Sequence, residues 1–270
     1  MKVVLFCGGL GMRIREYSES VPKPMIPVGS QPILWHVMQY YSQFGHRDFV
    51  LCLGHKANTI KDFFLNYRPQ AFADCVVSGF GSKVELLGKP AKDWRVSLID
   101  TGNWRNIGQR LWAVREHVAD EEIFLANYSD GLTDVNLGDM IDRFKRSDKI
   151  GCFLAIRPPL TYHLADIDAD GRVQRFRTSN RAGIWINGGY FLFRSAIFDY
   201  MREGEELVLE PFNRLIEDDK LMAYKHEGFW RSMDTLKDRE ILEDMVEQGN
   251  MPWRIGTDLV AKHGLVAAAE

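Results

Sequence analysis

The chain has 270 residues, 46% of them hydrophobic and 26% charged, with a formal net charge of −3. That length and balance suit one large domain, or one domain with a small appendage. The slight acidity excludes a dedicated nucleic-acid binder, although it leaves room for a local basic pocket. No apolar stretch approaches the roughly 20 residues that span a bilayer, so no membrane partner is expected.

In chain order, Lys2–Cys7 reads as a buried first strand that runs into glycines, too short an apolar run for a signal peptide. Ile33–Phe44 has helical periodicity, Asp48–Leu53 is a second strand and Ala57–Tyr67 a second helix. Val96–Asp100 is a strand, Gly108–Val118 a helix, Glu122–Tyr128 a strand that ends at Ser129-Asp130-Gly131, and Leu137–Ser147 a helix. The second half changes character. Gly151–Ile156, Arg172–Phe176 and Trp185–Phe193 read as strands, Ala169-Asp170-Gly171 as a hairpin turn, and Leu236–Gly249 as a helix. Alternating strands and helices predict a mostly parallel sheet covered on both faces, with a more antiparallel second half. The expected division is a single domain over 1–256, with a nucleotide-binding part at about 1–150 and an acceptor-binding part at about 151–256. Residues 257–270 form a tail.

The four cysteines, Cys7, Cys52, Cys75 and Cys152, form no CxxC pair and stand near no histidine cluster. They read as free thiols, mostly buried, in a reducing compartment, which points to the cytoplasm. His36 and His55 carry no recognisable site logic and read as structural.

Ligands of open parallel sheets bind beyond the carboxyl ends of the strands. The loop Gly8-Gly9-Leu10-Gly11-Met12-Arg13 and the strand-end Asp130 both fall there. Three glycines in four positions let backbone N–H groups approach a phosphate closely, but the loop is neither a Walker A motif nor a good dinucleotide fingerprint. Lys23 follows between Pro22 and Pro24, on what reads as a stiff extended segment that would hold its ammonium in place.

GGLGMR followed by PKPM, together with Gly29, Pro32-Ile33-Leu34, Ile186-Asn187-Gly188-Gly189 and GFWRSMDTLKD, resembles the sugar-1-phosphate nucleotidyltransferases. The likeness is greatest to the glucose-1-phosphate cytidylyltransferase branch and runs from residue 1 to about residue 254. It implies an α/β, Rossmann-like nucleotidyltransferase fold with a small β-rich sugar-binding part. It further implies a Mg²⁺-dependent transfer of a nucleotidyl group, with CTP and a sugar 1-phosphate such as glucose 1-phosphate as substrates, and a homo-oligomer.

Carried onto this sequence, the resemblance gives Arg13 and Lys23 catalytic roles and makes Asp130 and Asp234 the metal ligands. Gly8, Gly9, Gly11, Arg110 and Asp130 fall to the nucleotide, and Arg177, Arg181, Asn187 and Trp230 to the acceptor. There are departures. Met12 stands where the family has Ser or Thr, and Ile107-Gly108-Gln109-Arg110 replaces Thr-Gly-Gly-Arg. The family's Glu-Lys-Pro is absent from Phe176-Arg177-Thr178-Ser179-Asn180-Arg181, which leaves Arg177 or Arg181 to replace its lysine. Open alternatives are dTTP or UTP in place of CTP, an acceptor other than glucose 1-phosphate, or a catalytically weakened regulatory homologue.

Overall fold

The structure, a computed structural model, describes residues 1–9, 21–71, 75–87, 93–158, 163–178 and 183–255. Its centre is a seven-stranded sheet. The strands in chain order are β1 (Val3–Phe6), β2 (Asp48–Leu53), β3 (Arg95–Asp100), β4 (Ile123–Asn127), β5 (Gly151–Ile156), β6 (Ile186–Arg194) and β7 (Leu221–His226). They lie side by side as β7-β5-β6-β4-β1-β2-β3. β1 pairs parallel with β2 and β4, β2 with β3, and β5 with β7. Only β6 runs against its neighbours β4 and β5, so the other strands point their carboxyl ends to one rim.

Helices cover both faces: α1 (Ile33–Gln43), α2 (Ala57–Leu65), α3 (Ile107–Ala113), α4 (Leu137–Arg146), α5 (Glu210–Glu217) and α6 (Leu236–Glu247). Strand alternation divides the core in two. Val3 and Leu5 of β1 face α1 and α4, packing with Val37, Met140 and Phe144. Val4 and Phe6 face α3 and α5, packing with Leu111, Phe212 and Leu215. A strand buried on both sides has no polar face to show, which is why β1 and β4 read as continuous apolar runs.

Four two-stranded ladders stand outside the main sheet, among them the short pair Pro27–Val28 with Gln31–Pro32. Cys75–Ser78 pairs with Lys83–Leu86, His163–Ile167 with Val173–Thr178, and Gly131–Thr133 with the distant Trp230–Ser232. The helix expected over Gly108–Val118 stops at Ala113 and passes into a 3-10 turn over Arg115–His117, with Leu111, Val114 and Val118 still buried. Cys7, Cys52 and Cys152 are buried, Cys75 is partly exposed, and all are free. Among the described residues no helix is long and apolar enough to cross a membrane.

Candidate active site

Lys23 opens a 3-10 turn, Lys23–Met25, rather than the extended segment expected for it. Pro24 fits the second position of that turn because it has no N–H to satisfy there and its φ is already helical. Pro22 keeps extended angles, φ −68° and ψ 149°, and its carbonyl accepts from Met25 N at 2.8 Å. The lysine backbone is therefore braced on both sides.

Asp130 is aimed by a local distortion. Ser129, wholly buried, has a φ of 64°, a left-handed conformation that a non-glycine residue adopts only when its surroundings impose it. Here the Asn127 side chain accepts from Ser129 N at 2.6 Å, and Ser129 Oγ donates to Phe6 O at 2.8 Å. The chain thus turns sharply at the carboxyl end of β4. The short pairing of Gly131 with Ser232, and the bond from Met233 N to Asp130 O at 2.8 Å, then bring the chain before α6 alongside. Asp234 comes next, immediately ahead of Thr235, which caps α6 in a capping box with Asp238.

These three elements meet at one point. Lys23 Nζ donates to Asp130 Oδ2 at 2.6 Å and to Asp234 Oδ1 at 2.8 Å. Burial opposes the lysine's charge, yet the two carboxylates outweigh it and hold the Lys23 pKa above the ordinary lysine value. Two carboxylates that share one cation also suit a Mg²⁺ ion, which takes one or two carboxylates and completes its shell with phosphates and water. Among the described residues no group of three or more His, Cys, Asp or Glu side chains is placed to hold a metal.

Beside this point is a cavity of about 190 Å³, walled by Gly9, Lys23, Ile107, Tyr128, Ser129 and Asp130. A larger cavity of about 330 Å³ lies at the β3 edge among Trp35, Phe63, Trp94 and Leu98. It is lined mainly by aromatic and aliphatic side chains and contains none of the expected site residues.

Arg110, expected to face the nucleotide, is instead buried beneath the glycine loop. Its guanidinium donates to Gly8 O at 2.8 Å, Leu53 O at 3.0 Å, Thr101 Oγ1 at 2.7 Å and Asn103 O at 3.3 Å. The loops leave room because they end in glycines. A Cβ on Gly8 would stand 2.1 Å from Arg110 Nη1, and one on Gly54 2.8 Å from it. The guanidinium's planar fork, with donors on several sides, is suited to tying β1, β2 and the loop after β3 together at once.

Asn187 and Trp230 flank the strip between the cleft and β5. Asn187 Nδ2 donates to Tyr128 Oη at 3.0 Å and its Oδ1 accepts from Gly189 N at 2.8 Å. Trp230 Nε1 donates to Gly188 O at 2.8 Å. Arg177 lies on the His163–Ile167/Val173–Thr178 hairpin, where Nη2 donates to Asp166 Oδ1 at 2.6 Å. Gly11, Arg13 and Arg181 lie outside the described residues.

A family model described as nucleotidyl transferase matches residues 2–239 of the chain. The chain is 38% identical over 256 residues to the glucose-1-phosphate cytidylyltransferase of Salmonella typhi, covering 94% of this chain and 99% of that protein. The enzyme of the same name from Salmonella typhimurium matches equally, at 38% over 256 residues. Among solved structures, a UDP-glucose pyrophosphorylase complexed with UDP-glucose is similar, with a TM-score of 0.65 at 12% identity, covering 92% of this chain and 98% of that one. That likeness is one of fold.

Proposed function

We propose a function from the premise that the chain belongs to the nucleotidyl transferase family. It transfers the CMP group of CTP to a sugar 1-phosphate, giving a CDP-sugar and pyrophosphate. Cytidylyl transfer to glucose 1-phosphate is what the name of its Salmonella relatives states. The observation that carries the reading is the meeting of Lys23 with Asp130 and Asp234 beside an open cavity.

In this reaction an oxygen of the acceptor's phosphate attacks the α-phosphorus of CTP. The bond from that phosphorus to the bridging oxygen of the β-phosphate breaks, and pyrophosphate leaves with the electron pair. A phosphate monoester, with a second pKa of about 6, is already largely dianionic at neutral pH and needs no general base. The protein's work is positioning and charge neutralisation. Lys23 donates to the α-phosphoryl oxygens. Asp130 and Asp234 would hold Mg²⁺ together with oxygens of the triphosphate, and the bound ion would supply charge neutralisation at the reacting phosphorus. Backbone N–H groups of Gly8, Gly9 and Gly11 cradle the nucleotide, held from beneath by Arg110. Arg13 takes the departing β,γ-phosphates. Asn187, Trp230, Arg177 and Arg181 serve the acceptor side.

The test is pyrophosphate release from CTP with glucose 1-phosphate and other sugar 1-phosphates in the presence of Mg²⁺. Release with CTP well above that with UTP, dTTP and ATP is expected. No CTP-dependent release with any acceptor, and no rise in melting temperature with CTP and Mg²⁺, would overturn the reading.

A cytoplasmic homo-oligomer belongs to the same proposal. It is supported by the free thiols and by the hairpin Cys75–Ser78/Lys83–Leu86, where Val76, Val77, Phe80 and Val84 are exposed together. Light scattering on the purified chain checks the oligomer.

A further inference from the structure

The acceptor end of the cleft carries charge that the transfer reaction does not use. Arg157 follows β5, Trp185 precedes β6, and Lys225 is near the end of β7. The Arg157 guanidinium carbon stands 4.2 Å from the centre of the Trp185 ring, and Lys225 Nζ stands 5.4 Å from the same centre. Two cations on one indole attract the ring but repel each other, so the arrangement favours an anion that satisfies both.

The carboxylate nearby is a poor candidate for that anion. Arg157 Nη2 lies 3.5 Å from Glu227, whose side chain is 70% exposed, and a pair so open to water is weak. Arg157 Nη1 is buried with no hydrogen-bond partner among the described residues. Among those residues no carboxylate lies within ion-pair distance of Lys225. The cluster therefore carries surplus positive charge and an unused donor.

Strand register places it. Ala155 is opposite Asn187 on one side and Lys225 on the other, so Lys225, Ala155 and Asn187 form one row on one face of the sheet. Arg157 and Trp185 continue that face two residues further along, about 7 Å at the rise of a strand. On its other side Asn187 reaches Tyr128, which walls the cavity beside Lys23 and Asp130. The order along the strip is thus reacting point, Tyr128, Asn187, then the Arg157–Trp185–Lys225 cluster, with the scale of a pyranose ring between the last two.

We propose that Arg157, Trp185 and Lys225 form a subsite for a second anionic group of the acceptor, a carboxylate or a phosphate at the end of the sugar away from the reacting phosphate. This rests on the cytidylyltransferase reading and deepens it. The acceptor is an acidic sugar 1-phosphate, with one anion at the α-phosphorus of CTP and the other on the indole-bound pair. Trp185 supplies the flat apolar surface that sets the two cations at a fixed separation.

The test is calorimetric binding of three probes to the full chain: glucose 1-phosphate, glucuronic acid 1-phosphate and glucose 1,6-bisphosphate. The wild type is expected to bind at least one acidic probe about tenfold or more tightly than glucose 1-phosphate, the scale of one charge-assisted hydrogen bond. Which acidic probe wins tells carboxylate from phosphate. Arg157→Gln with Lys225→Gln should abolish the preference while leaving glucose 1-phosphate binding within about twofold. Lys225→Gln alone, at an exposed position, should remove part of it without touching the fold. Equal wild-type affinity for all three probes, no binding of any, or a variant that loses all three alike would overturn the proposal. Absence of CTP-dependent pyrophosphate release would sink the transfer reaction by itself, and the affinity ratio would still decide the subsite.

Discussion

Replacing Arg110 by Met separates support of the glycine loop from direct contact with the nucleotide. The side chain is 2% exposed, and its guanidinium donates to acceptors at the carboxyl ends of three different strands. Methionine fills much of the same volume but donates nothing. Leu53 O keeps bonds from Thr101 N at 3.0 Å and Thr101 Oγ1 at 2.7 Å, so it is not orphaned. Gly8 O loses its guanidinium partner. Hydrogen bonds to a charged group contribute about 1.5–3 kcal/mol each, and an orphaned buried carbonyl costs about 1–3 kcal/mol. Relief from desolvating the guanidinium, which burial already pushes below the ordinary arginine pKa, offsets part of that. The net loss should be about 3 kcal/mol, or about 8 °C in melting temperature for a domain of this size. The assay is thermal and urea unfolding of the nucleotide-free protein, with the CTP-induced stabilisation measured alongside. A variant whose nucleotide-free melting temperature stays within about 1 °C of wild type, but which CTP no longer stabilises, would show that Arg110 touches the nucleotide and that its place under the loop is incidental.

Other outcomes follow from the same geometry. Lys23→Met should lower turnover about a hundredfold or more, the scale of losing one preorganised charge at the reacting phosphorus, and steady-state pyrophosphate release measures it. Asp234→Asn should raise the Mg²⁺ concentration for half-maximal activity about tenfold or more, since it removes one of two carboxylates; a metal titration at saturating CTP checks this. His36 is buried, with Nε2 donating to Val28 O at 2.9 Å and Nδ1 accepting from Trp253 Nε1 at 3.4 Å, so both nitrogens are satisfied only in the neutral ring. Burial lowers its pKa from 6.5 to about 4. Its contribution is therefore complete above pH 6.5 and is lost as pH falls towards 4, the loss reaching about 2 kcal/mol by pH 5. Unfolding free energies from urea titrations at pH 7.5 and pH 5 should differ less in His36→Gln than in wild type by about that amount.

The fold was legible where burial is complete and obscure where it is partial. β1 is apolar end to end, and β2 and β4 are so apart from Asp48 and Asn127, because helices cover both their faces; α1 shows its buried stripe of Ile33, Leu34, Val37, Met38 and Tyr41 in the spacing of its residues. β7 is a sheet edge, Leu221–His226, with Ala223 and Lys225 exposed and its other residues half-buried. Neither alternation nor a continuous apolar run stands out in LMAYKH, and no strand was expected there. α5, Glu210–Glu217, buries only Pro211, Phe212 and Leu215, too short a pattern to signal a helix before the fold supplies its partner. The hairpin Cys75–Ser78/Lys83–Leu86 is exposed along most of its length, so it has no buried face to leave a period in the sequence.

The site divides differently. Each charged group could be singled out locally, but the meeting of Lys23 with residues 107 and 211 positions away is a property of the sheet order, not of any spacing. The resemblance to a known family paired Asp130 with Asp234; the residues alone could not. Two groups whose surroundings the sequence did not place show why. The resemblance gave Arg110 to the nucleotide, and nothing in its own helix marks it as buried. The signal is carried by Gly8 and Gly54, whose missing Cβ atoms make room for the guanidinium from two other loops. Arg157, Trp185 and Lys225 lie at or just beyond the ends of three strands, and only the pairing of β5 with both β6 and β7 puts them on one face. A cation set that recognises a ligand leaves its mark as charge without a partner, and partners are assigned by register. On the proposed reading, substrate choice at the acceptor end is written in the pairing of strands, while the transfer chemistry assigned to a glycine loop and a braced lysine leaves a trace in the chain itself.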